Sequence, residues 1–271
     1  MVAAVRREIV PVGVELRTLA WLGVMMISTG VGILIYKHRD QIGALAIAIA
    51  LGALAAACYV WVSLRPHAPL DDYVILLGAL LISADAGFIE TQFHVLGGEW
   101  QRHFLLLAIV HAATAYWFDS RAVLSLSIVA LAAWLGVEQR GLFNNELQFA
   151  ARAFICAGVL VLWRVLNRRP EFAPLFDQFA INLAFWGSLI LTAHSDTKLI
   201  GLLVTLLIAA GAVWLGFHQR RELFLMYAFV YTIIAINIVV SEALLVLVST
   251  VAGIAALFVI HAAFQKRLAN A

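Results

Sequence analysis

Apolar residues run along this chain in blocks long enough to cross a bilayer, which takes about 20 residues with a tolerance of roughly 17–25. The blocks are Thr18–Tyr36, Ile42–Leu64, Tyr73–Gln92, His103–Phe118, Ala122–Val137, Gln148–Asn167, Leu175–His194, Leu199–Phe217, Leu223–Val240 and Ala243–Phe264. The fourth and fifth are short, and only Ser241 and Glu242 separate the ninth from the tenth. The breaks are compact and polar, as at Lys37–Asp40, Arg65–Asp72, Asp119–Arg121, Arg168–Glu171 and His218–Glu222. Every proline falls outside a block interior: Pro11, Pro66, Pro69, Pro170 and Pro174. Proline removes a helix hydrogen bond, so this placement supports the boundaries independently of hydropathy. Trp21, Trp61, Trp117, Trp134, Trp163 and Trp214 lie near block ends, where an interfacial aromatic belt belongs. The pattern predicts an all-α, polytopic transmembrane helix bundle of about ten spans with no soluble domain. Residues 1–17 form a cytoplasmic segment, 18–264 the transmembrane domain and 265–271 a cytoplasmic tail.

Composition agrees. Of 271 residues, 64% are hydrophobic and 13% charged, against roughly 25% charged in a soluble domain. A net charge of +2, with no basic run interleaved with aromatics, argues against nucleic acid. Cys58 and Cys156 sit in separate apolar blocks and read as small hydrophobes. No uninterrupted apolar stretch precedes Thr18, so the first block is expected to stay as an anchor and not be cleaved. Lys and Arg divide about two to one between alternate sides, which predicts both termini in the cytoplasm. Trp134-Leu135-Gly136 with Gln139-Arg140 is echoed by Trp214-Leu215-Gly216 with Gln219-Arg220. The echo is either a repeat of the kind transporters use or a coincidence of residues that favour helix ends.

The segment Gln92-Phe93-His94-Val95-Leu96-Gly97-Gly98 is followed by an apolar helix ending at Tyr116-Trp117 and another ending at Trp134. It resembles a large family of bacterial predicted membrane proteins defined by a domain of unknown function, typified by a Gln-aromatic-His-x-x-Gly segment at a helix end. The stretches Arg17–Gly23 and Arg220–Phe224 are similar to that family as well. Phe93 stands where such proteins often carry tyrosine. The resemblance implies a bacterial inner-membrane location and no assigned activity.

Candidate chemistry rests on ionisable residues in the apolar blocks, where a charge costs roughly 2.5–3.5 kcal/mol at a helix centre. Asp85 and His111 fall at comparable depth on consecutive antiparallel blocks, as either a proton relay or an interhelical hydrogen bond. Glu90 and His94, four residues apart, would share a helix face. With Arg102 and His103 they could receive an anionic or sugar-like head group. Arg152 sits a turn inside the sixth block, either snorkelling or pairing with Glu90 or Glu242. His194 joins Glu138, Arg140, Glu146 and Asp196 among residues assigned to the same outer side. No zinc-protease, phosphate-loop, dinucleotide or nucleophile-elbow motif occurs, so neither cofactor nor metal is expected.

These features predict a small-solute or lipid-precursor carrier or binder with an outward-facing polar cavity. The alternatives are a scaffold without ligand and an intramembrane enzyme acting on a lipid head group. No nucleophile–base pair can be placed by spacing, so binding is favoured over catalysis. The expected partners are the lipid bilayer and a small solute or lipid head group.

Overall fold

The computed structural model describes residues 12–38, 43–64, 70–97, 100–137 and 146–240. Among them the chain is helical throughout, with no strand. The helices are α1 (Val12–His38), α2 (Ala44–Leu64), α3 (Asp71–Phe93), α4 (Trp100–Phe118), α5 (Arg121–Trp134), α6 (Glu146–Leu166), α7 (Ala173–Ala193), α8 (Lys198–His218) and α9 (Glu222–Val240). Single 3₁₀ turns, Pro170–Phe172 and Ser195–Thr197, precede α7 and α8. Nine of the apolar blocks thus appear as nine helices; the tenth, Ala243–Phe264, and Glu242 lie outside the described residues. Helix α1 begins at Val12, earlier than the apolar pattern indicates. Backbone hydrogen bonding can continue through Arg17 and Glu15 although hydropathy cannot. Among the described residues, six helices are long and apolar enough to cross a membrane: α2, α3 and α6 through α9. The chain is a multi-pass α-helical membrane protein.

The helices form two compact units, Met1–Ala130 and Leu131–Ala271. Both bury small side chains alongside large ones such as Leu124 and Phe185, and both expose many large aliphatic ones. Helix α6 buries Ala150, Ala153, Cys156 and Ala157 while Ile155, Leu162, Val165 and Leu166 face outward. Helix α8 buries Gly201, Thr205, Ala209, Ala212 and Gly216, a small-residue stripe at three- and four-residue spacing. In lipid, association comes from close backbone approach and not from hiding apolar area. A Cβ at Gly201 would land on the backbone of Leu191 and Thr192, so α7 and α8 can cross there only at glycine.

Helix ends follow from local chemistry. Helix α5 closes with Gly136 at φ +77. Val137 N–H donates to Ala132 O and Gly136 N–H to Ala133 O, both at 2.9 Å. Asp119 (φ 57) and Arg220 (φ 54) occupy the same left-handed position after α4 and α8. The two tryptophan-glycine echoes differ here. Gly136 terminates its helix, whereas Gly216 remains inside α8, where its Cβ position is 3.1 Å from the Leu225 side chain. The shared letters do not produce a shared local structure.

Candidate functional site

Within residues 1–130, the turn Ser83–Ala86 near the middle of α3 carries the buried chemistry. Ser83 and Ala86, three residues apart, share the face toward α4. His111, 1% exposed, has its Nε2 2.8 Å from Ser83 Oγ. Ser83 Oγ also lies 3.0 Å from Ala79 O, to which its hydroxyl can donate. His103, 5% exposed, donates Nε2–H to Ala86 O at 2.7 Å. Trp100 packs against the His103 ring edge-on, with centroids 5.5 Å apart. Asp85 points elsewhere. Two residues on an α-helix amount to roughly 200°, so Asp85 leaves the Ser83 face and turns to α2, with Oδ2 3.4 Å from the Cβ position of Gly52. The expected Asp85–His111 pair is therefore not formed: Ser83 takes the imidazole. The Nδ1 atoms of both histidines and Asp85 Oδ1 are buried without a hydrogen-bond partner among the described residues.

The helix face expected to hold Glu90 and His94 is broken. Helix α3 stops at Phe93, and His94 adopts φ 50, ψ 41, exposed to the outside. Glu90, 2% exposed, turns back on its own chain and accepts from Leu96 N–H at 2.9 Å. It clamps the turn that Gly97, at φ +78, completes. Arg102 is exposed in the first turn of α4, whereas His103 beside it faces inward.

A cavity of about 580 Å³ opens at the other end of α3, lined by Trp21, Asp72, Tyr73, Asp119, Arg121 and Ser125 among others. Asp71 and Asp72 sit in the first turn of α3, where carboxylates favour the helix dipole. The tight α4–α5 connection brings Asp119 and Arg121 to the same place. Buried Ser120 fixes that connection, its carbonyl accepting from Leu124 N–H at 3.2 Å and its hydroxyl from Val123 N–H at 3.5 Å. Neither Asp72 nor Arg121 makes an ion pair among the described residues. This cavity lies at the opposite end of α3 from Glu90 and His94.

Residues 131–271 hold a different arrangement. Arg152, exposed, points its Nη1 at Gly136 O, 3.5 Å away, and so steadies the end of α5. His194 Nδ1 lies 3.1 Å from Glu146 Oε2, and its Nε2 3.9 Å from Asp196 Oδ2. This trio of Glu146, His194 and Asp196 is formed but solvent-facing. The deeper polar groups were not singled out from sequence. Arg164 pairs with Asp177, to which Gln219 Nε2 also donates at 3.4 Å. Gln178 Nε2 donates to Tyr227 Oη at 2.9 Å, and Tyr231 Oη to Asn182 Oδ1 at 2.8 Å. The Tyr231 ring stacks on Phe185 at 4.5 Å. Thr205 Oγ1 lies 3.0 Å from Ser188 Oγ. Asp177, Gln178, Asn182 and Ser188 fall within one broad arc of α7.

No three His, Cys, Asp or Glu residues among the described ones group closely enough for a metal ion. Cys58 and Cys156 are both free. No family model matches the chain, and no characterised protein or solved structure does either.

Proposed function

We propose that the protein binds, and carries across or within the membrane, a small solute or lipid precursor with both charged and apolar parts. The observation behind this reading is the cavity beside Asp72 and Arg121. It combines an unpaired carboxylate, an unpaired guanidinium and aromatic walls in about 580 Å³, within the size range of small-molecule sites. Trp21 at its edge is of the type that settles at the head-group level. In the same reading all ten apolar blocks span a bacterial inner membrane with both termini in the cytoplasm. The match of nine blocks to nine helices, the Lys and Arg distribution and the family resemblance support this topology. The cavity then opens on the cytoplasmic side.

The test is a thermal-stability screen of purified protein against ions, sugars, soluble head groups and lipids, run on wild type, Asp72→Asn and Arg121→Gln. A ligand class that raises the unfolding temperature of wild type by several degrees and of neither variant supports the reading. A flat screen on wild type overturns it.

A further inference from the structure

The cavity at the Asp72 end of α3 has a layered wall. Asp72 and Leu76 lie four residues apart on α3, and Arg121 and Ser125 four apart on α5. Helix α1 adds Trp21 and Met25 at the same spacing. Residues four apart share a helix face, so each helix meets the cavity with two side chains separated by one turn. One member of each pair is charged or aromatic and exposed: Trp21, Asp72 and Arg121. The other member is withdrawn. Leu76 is buried, and Met25 and Ser125 are half-buried. Leu126, also half-buried, lines the cavity with them. The cavity therefore has a charged mouth and a mainly apolar floor.

The mouth carries both signs. The carboxylates of Asp72 and Asp119 line it together with the Arg121 guanidinium. Asp72 and Arg121 make no ion pair with each other or with another described side chain. A guest bearing only negative charge would meet the carboxylates, and one bearing only positive charge would meet Arg121. Either leaves a like-charge contact, which is how a site rejects a wrong ligand. A guest with both charges answers both groups. Its ammonium suits Asp72, with the Trp21 and Tyr73 rings in the same wall to receive a cation. Its phosphate suits Arg121, whose planar fork takes two oxygens at once. The floor of Leu76, Met25 and Leu126 has no charge to offer, so the rest of the guest is apolar.

We propose that this cavity selects a zwitterionic amphiphile, with an ammonium-and-phosphate head group in the mouth and the start of an apolar chain on the floor. The inference rests on the reading of the cavity as a ligand site and adds which chemistry the site accepts. Asp72 and Arg121 set the selectivity: Asp72 discriminates against a purely anionic head group, and Arg121 against a purely cationic one. The same head-group chemistry occurs on a bilayer lipid and on a free solute, and the apolar floor favours the lipid.

The experiment uses the full chain in a neutral maltoside detergent and native mass spectrometry, which counts bound molecules by mass. Probes with the same chain length compete in equimolar pairs: lysophosphatidylethanolamine against lysophosphatidylglycerol, and against the matching alkylamine. The zwitterion is expected to bind about fivefold or more over either rival. Asp72→Asn should erase the preference over the anion, and Arg121→Gln the preference over the cation. Should a variant not fold, the wild-type preference decides alone. Soluble phosphoethanolamine at equal concentration should displace little of the bound lysolipid. Binding of either singly charged probe as well as the zwitterion overturns the proposal, and so do preferences that neither substitution moves. Displacement by phosphoethanolamine as strong as by the lysolipid overturns the lipid assignment in favour of a free solute. If no probe binds, the proposal fails, and the thermal screen described above shows separately whether the cavity takes any ligand.

Discussion

The two units treat their interior polar groups in opposite ways. In residues 131–271 the polar side chains of α7 are answered: Asp177 by Arg164 and Gln219, Gln178 by Tyr227, Asn182 by Tyr231 and Ser188 by Thr205. In residues 1–130 several are answered at one atom and left open at another, as His103 and His111 are. Five of the seven buried polar atoms without a partner among the described residues belong there: Ser28 Oγ, Tyr59 Oη, Asp85 Oδ1, His103 Nδ1 and His111 Nδ1. The other two are on Arg164 and Gln219, both already held by Asp177. A satisfied network inside an apolar layer fixes packing, whereas open valences cost stability and persist where function uses them. The comparison sets a closed polar network on α7 against interior polar atoms left open in residues 1–130.

Substitutions break this contrast in a definite order. Asp177→Ala should cost most, about 3 kcal/mol, because it strands the Arg164 charge in a partly buried place. Thermal unfolding should show the loss, and Arg164→Met in the same chain should recover part of it. Tyr231→Phe keeps the stack on Phe185 but leaves Asn182 Oδ1 unanswered, so unfolding should report a smaller loss of about 1–2 kcal/mol. Asp85→Asn should leave stability unchanged or raise it by up to about 1 kcal/mol, since it neutralises a carboxylate that has no partner to lose. A loss as large as that of Asp177→Ala would reverse the contrast between the two units. Arg121→Gln should move stability least, within about 0.5 kcal/mol, as an exposed residue without an ion pair. Its effect is expected in ligand-induced stabilisation alone.

Hydropathy located the helices well because each span has to bury its own backbone polar groups, a purely local requirement. It did not locate the side-chain partners. Asp85 and His111 were recognised as costly from their depth, but not their partners, because a shift of two positions on α3 turns a side chain to another neighbour. Glu90 and His94 shared a face only on the assumption of an unbroken helix. The left-handed backbone at His94 ended it one residue after Phe93. Asp177, Asn182 and Tyr231 carry no unusual local signal, since a polar residue in a span is informative only once its interior neighbours are known.

The sequence by itself determined that this is a multi-pass helical membrane protein and where most of its described helices lie. Those properties depend on solvent and helix period, which are readable residue by residue. Only the tertiary structure decided that Ser83 and not Asp85 meets His111, that His103 turns inward, and that α7 binds its neighbours through a closed polar network. It also set the cavity beside Asp72 and away from Glu90. These depend on which helices lie together and on the angle each presents, and helix rotation is fixed by packing between segments distant in the chain.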